Sequence, residues 1–380
     1  MGLMHLLGLH CLSQIGTVRL KTLVNYYGDY EAAWQNFDEW PAVLGKGIDY
    51  RELREEWRQT DLPNLYESFL LSDSRIVTLD DAKYPRVLTE IEEPPYMLFY
   101  RGELPKPQDL TVAIIGSRRA TAYGKEAAAY FADGLTRAGV WIVGGMARGI
   151  DSAAHRAALN AGGKTIGVLG CGIDIVYPRE NHELFAAAAQ NGCIISEYPL
   201  GMQPLSRNFP MRNRVVSGLS RGVLVVEAGL KSGTQITVDY AGAQGRNIYA
   251  VPGSIFSPSS AGTHRLIKEG IAKPAVSAED ILEDFAVGNF AQTAIEQQLP
   301  FYNSGAAEQK NSVAPPKGGP LPADMQERKL VEFLTEQRHF NDIVRELGWN
   351  SADLAGTLTL LELGGFIKRL DGQYYIRRQT

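Results

Sequence analysis

Val112-Ala113-Ile114-Ile115-Gly116-Ser117-Arg118-Arg119-Ala120-Thr121-Ala122-Tyr123-Gly124 decides the fold. Four apolar residues read as a buried strand that runs into a loop of small residues carrying two arginines, and a helix follows from about Tyr123. Gly116 lets the backbone turn sharply at the strand end, and Ser117 with the amides after it can face an anion beside the positive end of the helix. Arg118 and Arg119 bring guanidinium groups to the same loop. Strand, glycine turn and helix in this order predict a phosphate-binding unit of a parallel α/β sheet.

The pattern recurs downstream. Val140-Trp141-Ile142-Val143 leads into Gly144-Gly145-Met146-Ala147-Arg148-Gly149, with a helix from near Ile150. Arg207-Asn208-Phe209-Pro210-Met211-Arg212-Asn213-Arg214 packs three arginines, two asparagines and an aromatic into eight residues. That mixture suits a phosphodiester chain bearing bases, with charge for the backbone and a ring for stacking. Val223-Leu224-Val225-Val226-Glu227-Ala228 reads as another buried strand, and Lys231-Ser232-Gly233-Thr234 opens the helix after it. Further apolar runs lie at Thr165 to Leu169, near Ile194, and at Ile248 to Val251. Continuous rather than alternating apolarity means that both faces of each strand are covered, so residues 81–286 are expected to form a doubly wound parallel sheet. The four loops then fall at the carboxyl ends of its strands, the edge where such sheets bind ligands.

Composition bounds the rest. The 380 residues allow two or three domains, and a net charge of -5 lacks the overall basicity of a non-specific nucleic-acid binder. Locally the balance reverses: Thr111 to Leu230 holds 12 Lys and Arg against 8 Asp and Glu. Cys11, Cys171 and Cys193 have no metal or disulfide spacing and read as packing residues in a reducing compartment. No apolar run reaches the ~18 residues that span a membrane, and the first residues lack a basic n-region and cleavage site. A cytoplasmic protein without metal or cofactor is expected.

Residues 1–80 have leucines at helical spacing and read as a small helical domain. Within it Leu12-Ser13-Gln14-Ile15-Gly16-Thr17-Val18-Arg19-Leu20 partly matches a helix-hairpin-helix turn. Prolines at Pro85, Pro94 and Pro95 predict an extended bridge into the sheet. Residues 287–322, rich in Gln, Asn, Ser, Gly, Ala and Pro, read as a flexible linker. Residues 323–380 follow with three short helices and a hairpin turning at Asp371-Gly372, the winged-helix pattern. Its second and third helices are acidic, which favours a protein contact over major-groove reading.

Gly116-Ser117-Arg118, Thr121-Ala122-Tyr123-Gly124, Gly144 to Asp151, Ser196-Glu197-Tyr198-Pro199-Leu200-Gly201, Phe209-Pro210, Arg212-Asn213-Arg214, Ser232-Gly233-Thr234 and Val251-Pro252-Gly253 resemble, in order and spacing, the DprA/Smf family of DNA-processing proteins. The resemblance implies an extended Rossmann-like fold flanked by a small N-terminal domain of SAM or helix-hairpin-helix type and a C-terminal winged helix. It implies a homodimer that binds single-stranded DNA, protects it on entry and helps load RecA recombinase during natural transformation. Arg118 would hold a phosphate, with Gly116 and Ser117 adding donors, and Arg207, Asn208, Phe209, Arg212, Asn213 and Arg214 lining the same groove.

Two bland readings stand beside these. Asp151 and His155, one helical turn apart, suit a carboxylate at a helix N-terminus and a histidine packed on the sheet better than acid/base catalysis. Glu227 near Ser232-Gly233-Thr234 raises the alternative of a nucleotide hydrolase of the lysine-decarboxylase-like type, with Arg118 on phosphate and Glu227 at the ribose. One nucleotide does not need the Arg207 to Arg214 cluster, so a non-enzymatic binder is the favoured reading.

Overall fold

In a computed structural model, the structure describes residues 2–285 and, between 325 and 377, all but 348, 350 and 371–373. The linker expected over 287–322 and the Asp371-Gly372 turn lie outside the described residues. The chain divides into two units, Met1–Leu299 and Pro300–Thr380.

The first unit begins with helices α1 (Gly2–Cys11), α2 (Thr17–Tyr27), α3 (Tyr30–Gln35), α4 (Trp40–Leu44), α5 (Tyr50–Gln59) and α6 (Leu62–Leu71). Aspartates start three of them: Asp29, Asp49 and Asp61 accept from the first free amides of α3, α5 and α6. Gly28 ends α2 with a left-handed backbone, φ 71°. Their apolar faces meet around Leu9, Leu20, Leu23, Phe37, Trp40 and Leu53, in a core that also takes in Met97, Phe99, Leu169 and Ile194 of the sheet. Packing therefore runs continuously across the boundary expected at residue 80.

The sheet is built from β1 (Arg75–Thr78), β2 (Met97–Gly102), β3 (Thr111–Ile115), β4 (Trp141–Gly144), β5 (Thr165–Leu169), β6 (Gly192–Ser196), β7 (Gly222–Val225), β8 (Asn247–Ala250) and β9 (Lys273–Pro274). The helices between them are α7 (Ala122–Arg137), α8 (Ile150–Asn160), α9 (His182–Gln190), α10 (Asn208–Gly218), α11 (Thr234–Ala243) and α12 (Ala261–Lys268), with α13 (Glu279–Leu282) after β9. Strand order is β1-β2-β6-β5-β4-β3-β7-β8-β9. From β6 to β9 all neighbours are parallel, whereas β1 and β2 run antiparallel at one edge.

Alternation along β3 shows why continuous apolarity was the right signal. Val112 and Ile114 face a core filled by Phe131 and Leu135 of α7 and Ala154 of α8. Ala113 and Ile115 face the opposite core, with Val215 and Leu219 of α10 and Val238 of α11. β1 and β2 extend the sheet beyond what the sequence reading expected. Pro94 and Pro95 precede β2 rather than interrupt it, so the segment read as a bridge ends in a ladder with β6.

The second unit holds α14 (Met325–Phe333), β10 (Arg338–His339), α15 (Phe340–Leu347), α16 (Ser351–Leu363), β11 (Ile367–Leu370) and β12 (Tyr374–Arg377). Its sheet has the order β10-β12-β11, and Leu330, Leu334, Ile343, Leu358, Ile367 and Tyr375 fill its core. The two-residue β10 is too short to announce itself by periodicity.

One ion pair ties the N-terminal helices to α10. Arg214 donates to Glu197 at 2.6 Å and to the Glu93 carbonyl at 2.7 Å. Thr17 donates to the same carboxylate at 3.1 Å, and the His10 ring reaches the Glu197 carbonyl at 2.8 Å. The arginine and glutamate side chains are only 11% and 19% exposed, so removing one partner strands a charge with little water around it.

Arg214→Met is therefore expected to lower stability by about 3 kcal/mol in urea unfolding, and adding Glu197→Leu to recover part of the loss. Equal additive losses would show that the pair is not coupled. Burial lowers His10 and His155 from 6.5 to about 4, with Arg212 adding to the effect at His155. Both rings are neutral in the fold, so their contribution is full above the unfolded value and falls as pH drops from 6.5 toward 4, when only the unfolded chain takes up protons. The urea midpoint should decline over that window and decline less in His155→Gln; an unchanged slope would assign the acid sensitivity to other groups.

Candidate nucleic-acid interface

β3 passes through α7 to β4 on one side, while its other neighbour β7 passes through α11 to β8 on the opposite side. The two carboxyl ends diverge and leave a crevice, the switch point of an open α/β sheet. A cleft of about 580 Å³ fills it. It is lined by Gly116, Ser117, Arg118 and Arg119 after β3, Gly145 after β4, Phe209, Arg212 and Asn213 of α10, and Ser232, Gly233 and Thr234 at the start of α11. Gly144, Arg148, Gly149, Arg207, Asn208 and Arg214, also expected at the site, are not among its lining residues.

The first loop is held from beneath. The Ser117 amide donates to the Glu227 carbonyl at 2.8 Å, and the Ser117 hydroxyl accepts from the Arg119 amide at 3.1 Å. The neighbouring strand end thus claims the Ser117 amide, and of the amides after it, expected to face an anion, that of Arg119 turns onto the Ser117 hydroxyl. Glu227 is 1% exposed, and its carboxylate accepts from the Thr121 amide at 2.9 Å and the Thr121 hydroxyl at 2.5 Å. Thr121 in turn caps α7 through the Gly124 amide. Gly124 has to be glycine, because a Cβ there would lie 2.2 Å from a Glu227 oxygen. Glu227 is thus a strut of the loop, which leaves the nucleotide-hydrolase alternative without its ribose-facing carboxylate.

The second loop packs on the first. Gly149 has φ 79°, and a Cβ on it would stand 2.2 Å from the Ser117 carbonyl oxygen. Ile150 donates its amide to that same oxygen at 3.2 Å. Gly144 lies against His155, whose Nδ1 meets the Thr165 hydroxyl at 2.5 Å on the sheet. Asp151 accepts from the Gly145 amide at 2.8 Å; burial pushes its carboxyl up, opposed by the nearby Arg212 charge. Both glycines are required by close approach, and both candidate acid/base residues are engaged in the scaffold.

The arginine cluster does not form one groove. Residues two apart on a helix stand about 200° apart around its axis. Arg212, 4% exposed, turns under the second loop and donates to the carbonyls of Gly145 and Val168. A Cβ on Gly145 would come within 2.4 Å of its guanidinium. Arg214 takes the other face of α10 and reaches Glu197, so it is corrected from a groove residue to an anchor of the N-terminal helices. Arg207 is exposed at the start of α10, and buried Asn208 donates to the Gly170 carbonyl at 3.2 Å. Arg148, exposed, pairs with Glu180 beside a small adjoining pocket.

Phe209 is the meeting point. Its half-buried ring lies against Gly170, with the Arg118 guanidinium 5.3 Å and the Arg212 guanidinium 6.0 Å from its centroid. The Tyr177 ring stands 5.4 Å away at 37°. Tyr177, 37% exposed, was missed as a site residue. The signal was available: an aromatic before Pro178, in the loop after β5, on the sheet edge that carries the other loops. The cleft mouth therefore offers exposed cations at Arg118 and Arg119 and two aromatic rings, while the Ser232 hydroxyl donates to that of buried Thr234 at 2.9 Å.

Residues 75–286 match the family model of DNA recombination-mediator protein A, and residues 314–373 match that of the DprA winged helix domain. Protein Smf of Synechocystis sp. is 32% identical in an alignment covering 96% of each chain. The DNA processing protein DprA of Streptococcus pneumoniae is 43% identical over 61% of this chain and 80% of its own. An X-ray structure of S. pneumoniae DprA superposes with a TM-score of 0.66 and 36% identity, covering 72% of this chain and 95% of that one. DNA processing protein A of Helicobacter pylori, described for its single-stranded DNA binding mode, superposes with a TM-score of 0.50 and 32% identity over 56% and 97%. Switch-point cleft, winged helix and these matches coincide, and the chain belongs to the DprA/Smf family of DNA recombination mediators.

Proposed function

We propose that this chain binds single-stranded DNA in the switch-point cleft without cleaving it. The carrying observation is the grouping of Arg118, Tyr177 and Phe209 at the cleft mouth. Phosphates would meet Arg118 and Arg119, and an unpaired base would stack on the exposed Tyr177 ring. Duplex DNA, with its bases inside the helix, has no face to give that ring. The H. pylori relative's single-stranded DNA binding supports the reading. Binding without cleavage is supported by the carboxylates: Glu227 and Asp151 both accept from backbone amides of the loops.

Family membership extends the proposal. The protein would protect incoming DNA in the cytoplasm, act as a homodimer, and help RecA recombinase assemble on the strand during natural transformation. A dimer would hold two clefts on one strand and gain avidity without new contacts.

Anisotropy of a labelled oligothymidylate over a salt series tests the core of this. Arg118→Ala should weaken binding at least tenfold and flatten the log-log salt slope by roughly 0.7, the share of one phosphate contact. Tyr177→Ala should cost about 1 to 3 kcal/mol while leaving the salt slope in place. Equal affinity for a duplex of the same length, or wild-type binding by Arg118→Ala, would remove the reading. RecA assembly on the same oligonucleotide should be accelerated by the intact protein and not by Arg118→Ala.

A further inference from the structure

We propose that a second cleft, beside α9 and separate from the DNA site, binds an acidic, apolar-bearing peptide segment of a partner protein. It encloses about 620 Å³ and shares no lining residue with the switch-point cleft. One wall is a single face of α9, with His182, Phe185, Ala186 and Ala189 at helical spacing. The other wall brings Leu70 together with Arg75 at the start of β1 and Arg101 near the end of β2. Because β2 runs antiparallel to β6, its last residue Gly102, which lines the cleft, pairs with Cys193 near the amino end of that strand, away from the edge where the DNA loops gather.

Two features give the ligand its chemistry. The first is net positive charge, Arg75 and Arg101 against the single lining carboxylate of Asp73. Arg75 donates to the Gly102 carbonyl and Arg101 to the Ser72 carbonyl, yet neither makes an ion pair among the described residues. Each guanidinium has five N–H donors, and the Arg101 Nε is buried with no partner. Packing holds both heads in place, Arg75 4.7 Å over the Tyr100 ring and Arg101 5.9 Å from Phe185. Fixed guanidinium forks select carboxylates, which they bind bidentately.

The second feature is apolar surface between and around these charges. Leu70 lines the cleft while 61% exposed, next to Leu71 at 80%. A phosphodiester chain would want an open aromatic face for its bases, and here the rings are closed off: Phe185 is 5% exposed and Tyr100 7%. Carboxylates spaced by leucine-like side chains satisfy both the forks and the leucine rim. A helix face opposed by a short wall also gives a channel long enough for a few residues of extended or helical peptide.

Selection of random dodecapeptides displayed on phage against the full chain tests this. Enriched peptides should carry at least two acidic residues interleaved with Leu or Phe. Their affinity, read by anisotropy of the labelled synthetic peptide, should fall roughly tenfold in Arg75→Ala, as for loss of a charge-assisted pair, and similarly in Ala186→Trp, which fills the channel. Both variants should keep the wild-type urea midpoint, separating a lost site from a lost fold. Absence of any enriched binder, binders without acidic residues, or binders indifferent to both variants would each overturn the proposal. Competition by oligothymidylate for the peptide would overturn it in favour of a second nucleic-acid site.

Discussion

Helix α10 carries obligations on two opposite faces, and the architecture around the site follows from that. About 100° of rotation per residue sends Arg212 toward the sheet's carboxyl edge and Arg214 toward the N-terminal helices. The first guanidinium ties the loop after β4, through the Gly145 carbonyl, to β5, through that of Val168; the second fixes the helical layer by a carboxylate that also receives Thr17. Phe209, one turn earlier than Arg212, is thereby placed over Gly170 and beneath Arg118. A rotation of α10 by one residue would lose the loop strut, the aromatic floor and the anchor together. The cleft and the N-terminal layer are mechanically joined through this one element.

Glycines do the complementary work. Gly116, Gly124, Gly145 and Gly149 sit where another chain segment or side chain occupies the space a Cβ would need. They let β3, β4 and β7 ends approach closely enough for Glu227 and Arg212 to cross-link them. The loops are therefore cross-braced before any ligand arrives, and little ordering entropy is left to be lost on binding. A preorganised loop presents Arg118 as a fixed fork instead of a wandering cation, which suits a phosphate oxygen with two acceptors.

The sheet was legible because both faces of its central strands are covered, so the apolar runs are uninterrupted, and those of β3, β4 and β5 run into glycine. β1, β2 and β9 were not: β9 has two residues, β1 closes a stretch read as helical, and β2 follows prolines read as a bridge. The convergence of Gly116 to Arg119, Gly145, Phe209, Arg212 and Ser232 to Thr234 was legible from topology, since switch-point geometry brings those loops together whatever their details. What linear sequence hid was direction. Arg212-Asn213-Arg214 reads as one basic patch, and only helical phase separates a strut from an anchor. The tie of the Ser117 amide was hidden for a related reason: its acceptor, Glu227, lies 110 residues away and is adjacent only once β3 and β7 pair. Tyr177 was overlooked because a single aromatic in a loop has no periodicity to betray it.

Charge placement closes the argument. The chain is net acidic, yet the cleft mouth holds exposed Arg118 and Arg119, while Asp151 and Glu227 are buried and accept from backbone amides. Buried and hydrogen-bonded, those anions support the scaffold without presenting an oxygen to a phosphate. The cleft thus combines exposed positive charge with the Tyr177 and Phe209 rings, the pairing of charge and stacking surface that the proposed single-stranded ligand would meet at every nucleotide.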